Sequence, residues 1–194
     1  MNFFKIKENS NSPNIVNAVI EIPKGTSAKY EYSPEGYFKY DRSLTSAMVY
    51  PASYGFIPQT YADDGDPLDI MVYNSTPIER GTVVECQVIG VLDMEDEDHN
   101  GKMAKDYKIL GVPVSHVRDY QSLSDIYPLF LDISRNFFLH YKDLNNVGVK
   151  VFEWHGQMHA HQIIRDSSTS DRLQDLYKNL PDDLFEEFLV HKTR

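Results

Sequence analysis

The chain has 194 residues, of which 41% are hydrophobic and 12% aromatic, and a formal net charge of −10. That is enough apolar material for one folded domain with a core, and too much for a disordered chain. The acidic balance argues against nucleic acid as the main partner, since such proteins carry a basic patch; it leaves a small anion open, because bound cations can reverse the sign of a local field.

The first residues lack the apolar core of a signal peptide, and no stretch reaches the length of an uncharged membrane span. The expectation is a cytoplasmic protein that does not enter the membrane. A polar lead-in at 9–13 precedes Ile15-Val16-Asn17-Ala18-Val19-Ile20-Glu21-Ile22, which reads as a strand ended by Pro23-Lys24-Gly25. Plain alternation would send Glu21 to water. Lys29-Tyr30-Glu31-Tyr32 reads as a second strand and residues 37–42 as a third, joined by the turn Ser33-Pro34-Glu35-Gly36 into a hairpin.

Residues 68–73 and 81–92 are Val- and Ile-rich strand candidates. The one cysteine, Cys86, lies in the second of them, where it reads as a small strand residue; alone it makes no intrachain disulfide, which fits a reducing compartment. An acidic run follows at 93–98, and then another strand at 106–113. Residues 122–144 predict a helix, started by Asp125 and Pro128, with Leu129, Phe130, Ile133, Phe137, Tyr141 and Leu144 as its apolar stripe. Residues 148–154 predict a last strand, 157–165 a helix, and 172–179 and 184–190 two short helices in a tail. Short strands with turn signals between them point to a barrel or sandwich. With no internal repeat and no linker, one domain spanning 1–194 is expected.

Chemistry concentrates in Asp63-Asp64-Gly65-Asp66-Pro67-Leu68-Asp69, where carboxylates crowd a turn between Tyr50-Pro51-Ala52-Ser53-Tyr54-Gly55-Phe56 and the apolar run from Ile70. Like charges this close repel, so either water solvates a loose acidic loop or divalent cations bind; carboxylate oxygens are the ligands hard cations such as Mg²⁺ prefer. Asp96-Glu97-Asp98-His99-Asn100-Gly101 mimics the start of an EF-hand loop but has Tyr107 where a bidentate Glu is needed, and a strand leads into it. His155, His159 and His161 read as surface histidines, since no acid or cysteine stands at ligand spacing beside them. Trp154 reads as a core residue. Lys29, Arg42, Lys108 and Lys142 each adjoin Tyr or Asp; taken with the acids they outline a site with cations on one side and a phosphate-like anion on the other. An oligonucleotide-binding barrel and a calcium-binding interaction domain are the rival readings, and the charge and loop ligands suit neither.

Asp64-Gly65-Asp66-Pro67-Leu68-Asp69 resembles the Asp-Gly-Asp-Pro-x-Asp signature of the family I soluble inorganic pyrophosphatases. The likeness runs in unbroken order over about 15–154. It takes in Val19-Ile20-Glu21-Ile22-Pro23, Lys29-Tyr30-Glu31, Asp41-Arg42, Tyr50-Pro51, Tyr54-Gly55, Asp96, Asp106-Tyr107-Lys108 and Phe138-Leu139-His140-Tyr141-Lys142-Asp143-Leu144. The resemblance implies an OB-like five-stranded β-barrel flanked by helices, hydrolysing pyrophosphate to phosphate with several Mg²⁺ ions. It implies Asp64, Asp69 and Asp106 as principal metal ligands, Asp96 as a further one, and Glu21 and Glu31 near another ion. Asp66 would take the proton of the attacking water, and Lys29, Arg42, Tyr54, Lys108, Tyr141 and Lys142 would contact phosphate. It also implies a homo-oligomer, the compact members often being hexamers. Two features depart from that compact pattern: a longer loop at 98–105 and the helical tail at 155–194.

Overall fold

The computed structural model describes residues 2–62, 65–97, 101–145 and 147–169. The predicted tail helices at 172–179 and 184–190 lie outside them, as do Asp63, Asp64 and 98–100. In chain order the elements are β1 (Ile15–Ile22), β2 (Ala28–Tyr32), β3 (Phe38–Ser43), β4 (Ser53–Phe56), β5 (Asp69–Val72), β6 (Val83–Glu97), β7 (Met103–Lys105), β8 (Lys108–Pro113), α1 (Pro128–His140), β9 (Val149–Gly156) and α2 (Gln157–Ser167). Neither helix is long and apolar enough to cross a membrane.

Five strands pair in the cycle β1–β4–β5–β8–β6 and back to β1, so the sheet closes into the expected ring. All of its pairings are antiparallel except β5 with β8. The distal half of β6 runs on past the ring and pairs with β7 on one side and β9 on the other. The predicted hairpin forms as a separate two-stranded sheet, β2 with β3.

The wall of the ring is buried on both faces, so its strands read as apolar runs and not as alternation. Neighbouring residues go to different sides. Ile70, Val91 and Ile109 join one buried cluster with Ile163 and Ile164 of α2, while Met71, Leu92 and Leu110 join another with Phe137 and Phe138 of α1. A third cluster of Phe3, Phe4, Tyr32, Phe38 and Phe56 seats the hairpin on β1 and β4.

Four sequence expectations need correction. The strand β4 was not foreseen; all four of its residues are buried, so it lacks period-two patterning. The strand expected to end at 92 runs on through the acidic residues 93–97 as β6, and 103–105 of the expected 98–105 loop pair with it as β7. The helix over 122–144 is broken: a 3-10 turn at Leu123–Asp125, capped by the Asp125 carboxylate, stops before Pro128 opens α1, which ends at His140. Its buried face is Ser134, Phe137, Phe138 and the following Tyr141, whereas Leu129, Ile133 and Leu144 of the expected stripe are exposed. Trp154 packs on the core and its indole donates to the Leu131 carbonyl, as a core residue should.

β1 and β4 approach so closely that a Cβ at Gly55 would lie 1.8 Å from the Val19 carbonyl oxygen. Backbone cannot turn aside as a flexible side chain can. Gly55→Ala is therefore expected to lower stability by about 3 kcal/mol, read as a lower urea midpoint with unchanged slope.

Candidate active site

The parallel pairing of β5 and β8 sets Asp69 directly opposite Lys108. The Lys108 ammonium, almost wholly buried, donates to Asp69 Oδ2 at 2.6 Å and also to Asp106 Oδ1. Burial works against its charge, but Asp106 and Asp69 outweigh that, and its pKa stands above the ordinary lysine value. Two carboxylates, one at the start of β5 and one just before β8, thus converge on one positive centre.

Tyrosines roof this pair. Tyr54 of β4 is hydrogen-bonded to Asp69, and its hydroxyl pKa is driven well above the usual value by burial and then by Asp69 and Asp106. Tyr141, one residue past α1, donates to Asp96 Oδ2 at 3.3 Å and is shifted the same way by burial, Asp106 and Asp96. Lys142 pairs with the same Asp96 oxygen. Both hydroxyls therefore stay protonated donors at neutral pH.

The hairpin brings the remaining bases. Lys29 reaches Glu31 at 2.5 Å and Asp41 at 3.2 Å, and Arg42 reaches Asp41 at 2.6 Å. Lys29 pairs with Arg42 across the strands, while Tyr30 pairs with Tyr40, so Asp41 is the extra residue of a bulge. A bulge re-aims a side chain; here it lets one carboxylate meet both bases.

Glu21 occupies a second bulge. Ile20 pairs with Gly55 and Ile22 with Tyr54, which leaves Glu21 without an opposite residue. The bulge overrides the alternation that would have sent it to water. Its carboxylate accepts the Tyr32 N–H at 2.6 Å. Some surface stays open, yet surrounding protein desolvates the group, and with Asp69 and Glu31 adding like charge its pKa rises to about 8 against the pull of the Tyr32 N–H and Lys29.

The structure therefore gathers Glu21, Lys29, Glu31, Arg42, Tyr54, Asp69, Asp96, Asp106, Lys108, Tyr141 and Lys142 into one field. Asp66 stands in the turn just before β5, its carbonyl accepting from Ala62 N–H at 2.7 Å and its neighbour Gly65 at φ 92°, a conformation glycine tolerates best. Asp64 lies outside the described residues. Sequence reasoning gave no role to Asp41 or Tyr50. Tyr50 is buried within the same field, among Lys29, Asp69 and Lys108, and burial lifts its hydroxyl to about 12. The signals were present as the pairs Asp41-Arg42 and Tyr50-Pro51.

A closed ring whose rim gathers acids able to share cations, faced by amines, a guanidinium and phenol hydroxyls, has the make-up of a metal-dependent enzyme of phosphate compounds. Comparison makes the class specific. The profile of the family described as Inorganic pyrophosphatase matches residues 18–171. An inorganic pyrophosphatase of Campylobacter jejuni is 44% identical over 170 residues, covering 84% of this chain and 95% of that one, and one of Aeropyrum pernix is 39% identical over 167 residues, covering 83% and 92%. The crystal structure of inorganic pyrophosphatase from Thermus thermophilus superposes with a TM-score of 0.80 at 37% identity, covering 86% of this chain and 97% of that one. The chain belongs to the inorganic pyrophosphatase family.

The raised pKa of Glu21 has a consequence in metal-free protein. The folded state holds this proton more tightly than the unfolded state, whose carboxyl has the ordinary value of 4.5. Its stabilising contribution is complete below about 4.5 and is lost as pH rises through about 8. In chelator, wild type should lose stability relative to Glu21→Gln over that window, measured by urea denaturation at stepped pH.

Proposed function

We propose that this chain hydrolyses inorganic pyrophosphate to two phosphates with Mg²⁺ as its cation, in one domain. The observation that carries the reading is the convergence of Asp69 and Asp106 on a single positive centre held between them. Side chains that can share an ammonium from two sides fit a hard divalent ion, which carboxylate oxygens favour. Asp69, Asp106 and Asp64 are the principal ligands in this reading, Asp96 holds a further ion, and Glu21 and Glu31 border another. When bound, Mg²⁺ draws charge from the phosphoryl oxygens and acidifies water at the site.

The chain's own residues account for the rest. Lys108, Lys142, Lys29 and Arg42 are each paired with carboxylates in the structure. Cations on those carboxylates would leave the four bases to the anion, with the fork of Arg42 suited to phosphate oxygens and the lysines acting as point charges. Tyr54 and Tyr141, kept protonated by burial, donate hydrogen bonds to oxygens of the same anion. Asp66 accepts one proton of the attacking water as its oxygen bonds to phosphorus. The bond from that phosphorus to the bridging oxygen breaks, and its electron pair leaves with the second phosphate. The amines and guanidinium offset the charge that builds on the departing group.

The chain is also proposed to self-associate in the cytoplasm, with a hexamer as the assembly its family resemblance suggests. Support comes from an apolar groove in which Leu129, Ile133 and Val49 are each about half exposed, beside Met48. Contiguous exposed apolar surface marks an association site. The buried Cys86, whose thiol pKa is pushed up by burial, suits a reducing compartment.

Phosphate release should require Mg²⁺, and Asp66→Asn should cut turnover about 10²-fold or more without weakening Mg²⁺ binding. Wild type inert toward pyrophosphate would overturn the activity; full turnover in the variant would remove Asp66 from its role. Sedimentation velocity tests the association: wild type should run well above the mass of one chain, and Ile133→Asp should shift it toward monomer. A monomeric wild type would refute it.

A further inference from the structure

On the opposite side of the ring wall lies a second group of metal-binding side chains. Asp93 of β6, His155 of β9 and His159 of α2 present ligand atoms that all lie within 4.8 Å of one another. No acid stands at ligand spacing beside these histidines in the sequence, because Asp93 comes from far upstream. The pairing of β6 with β9 sets His155 opposite Val91, and Asp93 follows Val91 by two residues, so it projects from the same face. α2 starts directly after β9 and packs across β6 through Ala160, Ile163 and Ile164, which delivers His159 from its first turn. His161 is not part of the group.

We propose that Asp93, His155 and His159 form a site for a borderline divalent transition ion of the zinc class, separate from the carboxylate cluster of the active site. Three observations carry this.

The first is spacing. His159 Nε2 lies 3.3 Å from both Asp93 oxygens, and His155 Nε2 lies 3.6 Å from Oδ2. A tetrahedral ion with bonds of about 2.0–2.1 Å places its ligand atoms about 3.3 Å apart. The separations match that edge and exceed the roughly 2.7–2.9 Å of a charge-assisted hydrogen bond. The second is a need only partly met: among the described residues the buried Asp93 Oδ1 has the ion-pair approach of His159 Nε2 at 3.3 Å but accepts no well-aligned hydrogen bond, which a native protein rarely tolerates. The third is chemistry. Two imidazoles and one carboxylate suit zinc, cobalt, nickel or copper, whereas Mg²⁺ and Ca²⁺ ask for oxygen alone. The half-exposed rings leave a side open to solvent for an ion to enter and for water to complete its shell.

Alternation keeps this site apart from the first. Val91 and Tyr107 pack with the α2-side cluster, while Leu92 and Met94 belong to the other side. Tyr107 leans on His159, ring centroids 6.4 Å apart, and its chain neighbours Asp106 and Lys108 serve the active site. An ion here ties three elements together at the point where β9 turns into α2. Its role is a clamp.

The test uses the full chain, stripped with chelator and dialysed against Zn²⁺ at saturating Mg²⁺. Wild type should retain one more Zn²⁺ per chain than Asp93→Asn or His159→Gln. Its thermal midpoint should rise with Zn²⁺ while theirs does not, and with Mg²⁺ alone all three should release phosphate equally. Equal Zn²⁺ content in wild type and both variants would overturn the proposal. A second readout needs no variant: Zn²⁺ should shield His155 and His159 from diethyl pyrocarbonate, mapped by mass spectrometry. Modification of both histidines at an undiminished rate would refute the site.

Discussion

The site depends on one buried ammonium. Lys108 has almost no contact with water, and an isolated charge so placed would cost several kcal/mol. Asp69 and Asp106 are what make it tolerable. The dependence runs both ways, since the two acids would repel each other without the base between them. The arrangement also fixes register. Lys108 meets Asp69 only because β5 and β8 run parallel with those residues in line. A slip of one residue would turn Lys108 away from Asp69 and break that pair.

The same balance extends across the hairpin and α1. Lys29, Arg42 and Lys142 are each held by an acid of the site, as Lys108 is. In a cluster paired this way each base has an acid beside it, so no cation of the site stands without a counter-charge. Pairing of this kind need not be read as stability; removing one partner of a buried pair is costly even where the pair itself contributes little.

Much of the chemistry was legible because it sits in short segments whose residue types have few other uses. Asp69, Asp106-Tyr107-Lys108 and Tyr141-Lys142 keep their spacing whatever the chain does elsewhere. The fold was less legible where pattern and burial part company. β4 is buried on both faces and flanked by prolines at 51 and 58, so neither period nor context marks it as a strand. On α1 two adjacent stripes compete, and the aromatic pair Phe137-Phe138 wins because it fills the space under Tyr50 and Tyr54. Glu21 and Asp41 were misjudged or passed over for a common reason: each sits at a bulge, and a bulge leaves no trace in an alternation rule. Partners distant in sequence, such as Asp93 with His155, become visible only once strands are paired.

The end of β6 shows how far geometry sorts what composition lumps together. In the sequence, 93–98 is one acidic run. Folded as a strand, its described acids part company. Asp96 turns to Lys142 and Tyr141 and joins the active site. Asp93 turns the other way to the histidines. Glu95 lies between Lys105 of β7 and Lys150 of β9, and Glu97 accepts the Gly148 N–H at 2.8 Å. Four carboxylates that would repel in a loop are thereby given four separate sets of partners. The period of two parts Asp96 from the other three, since successive side chains leave opposite faces of the sheet, and different neighbours along the strand separate Asp93, Glu95 and Glu97. Only the acid with the parity of Met94 faces the side of Lys142 and Tyr141, and this is why a dense acidic segment sends one residue to that cluster and another to the histidines.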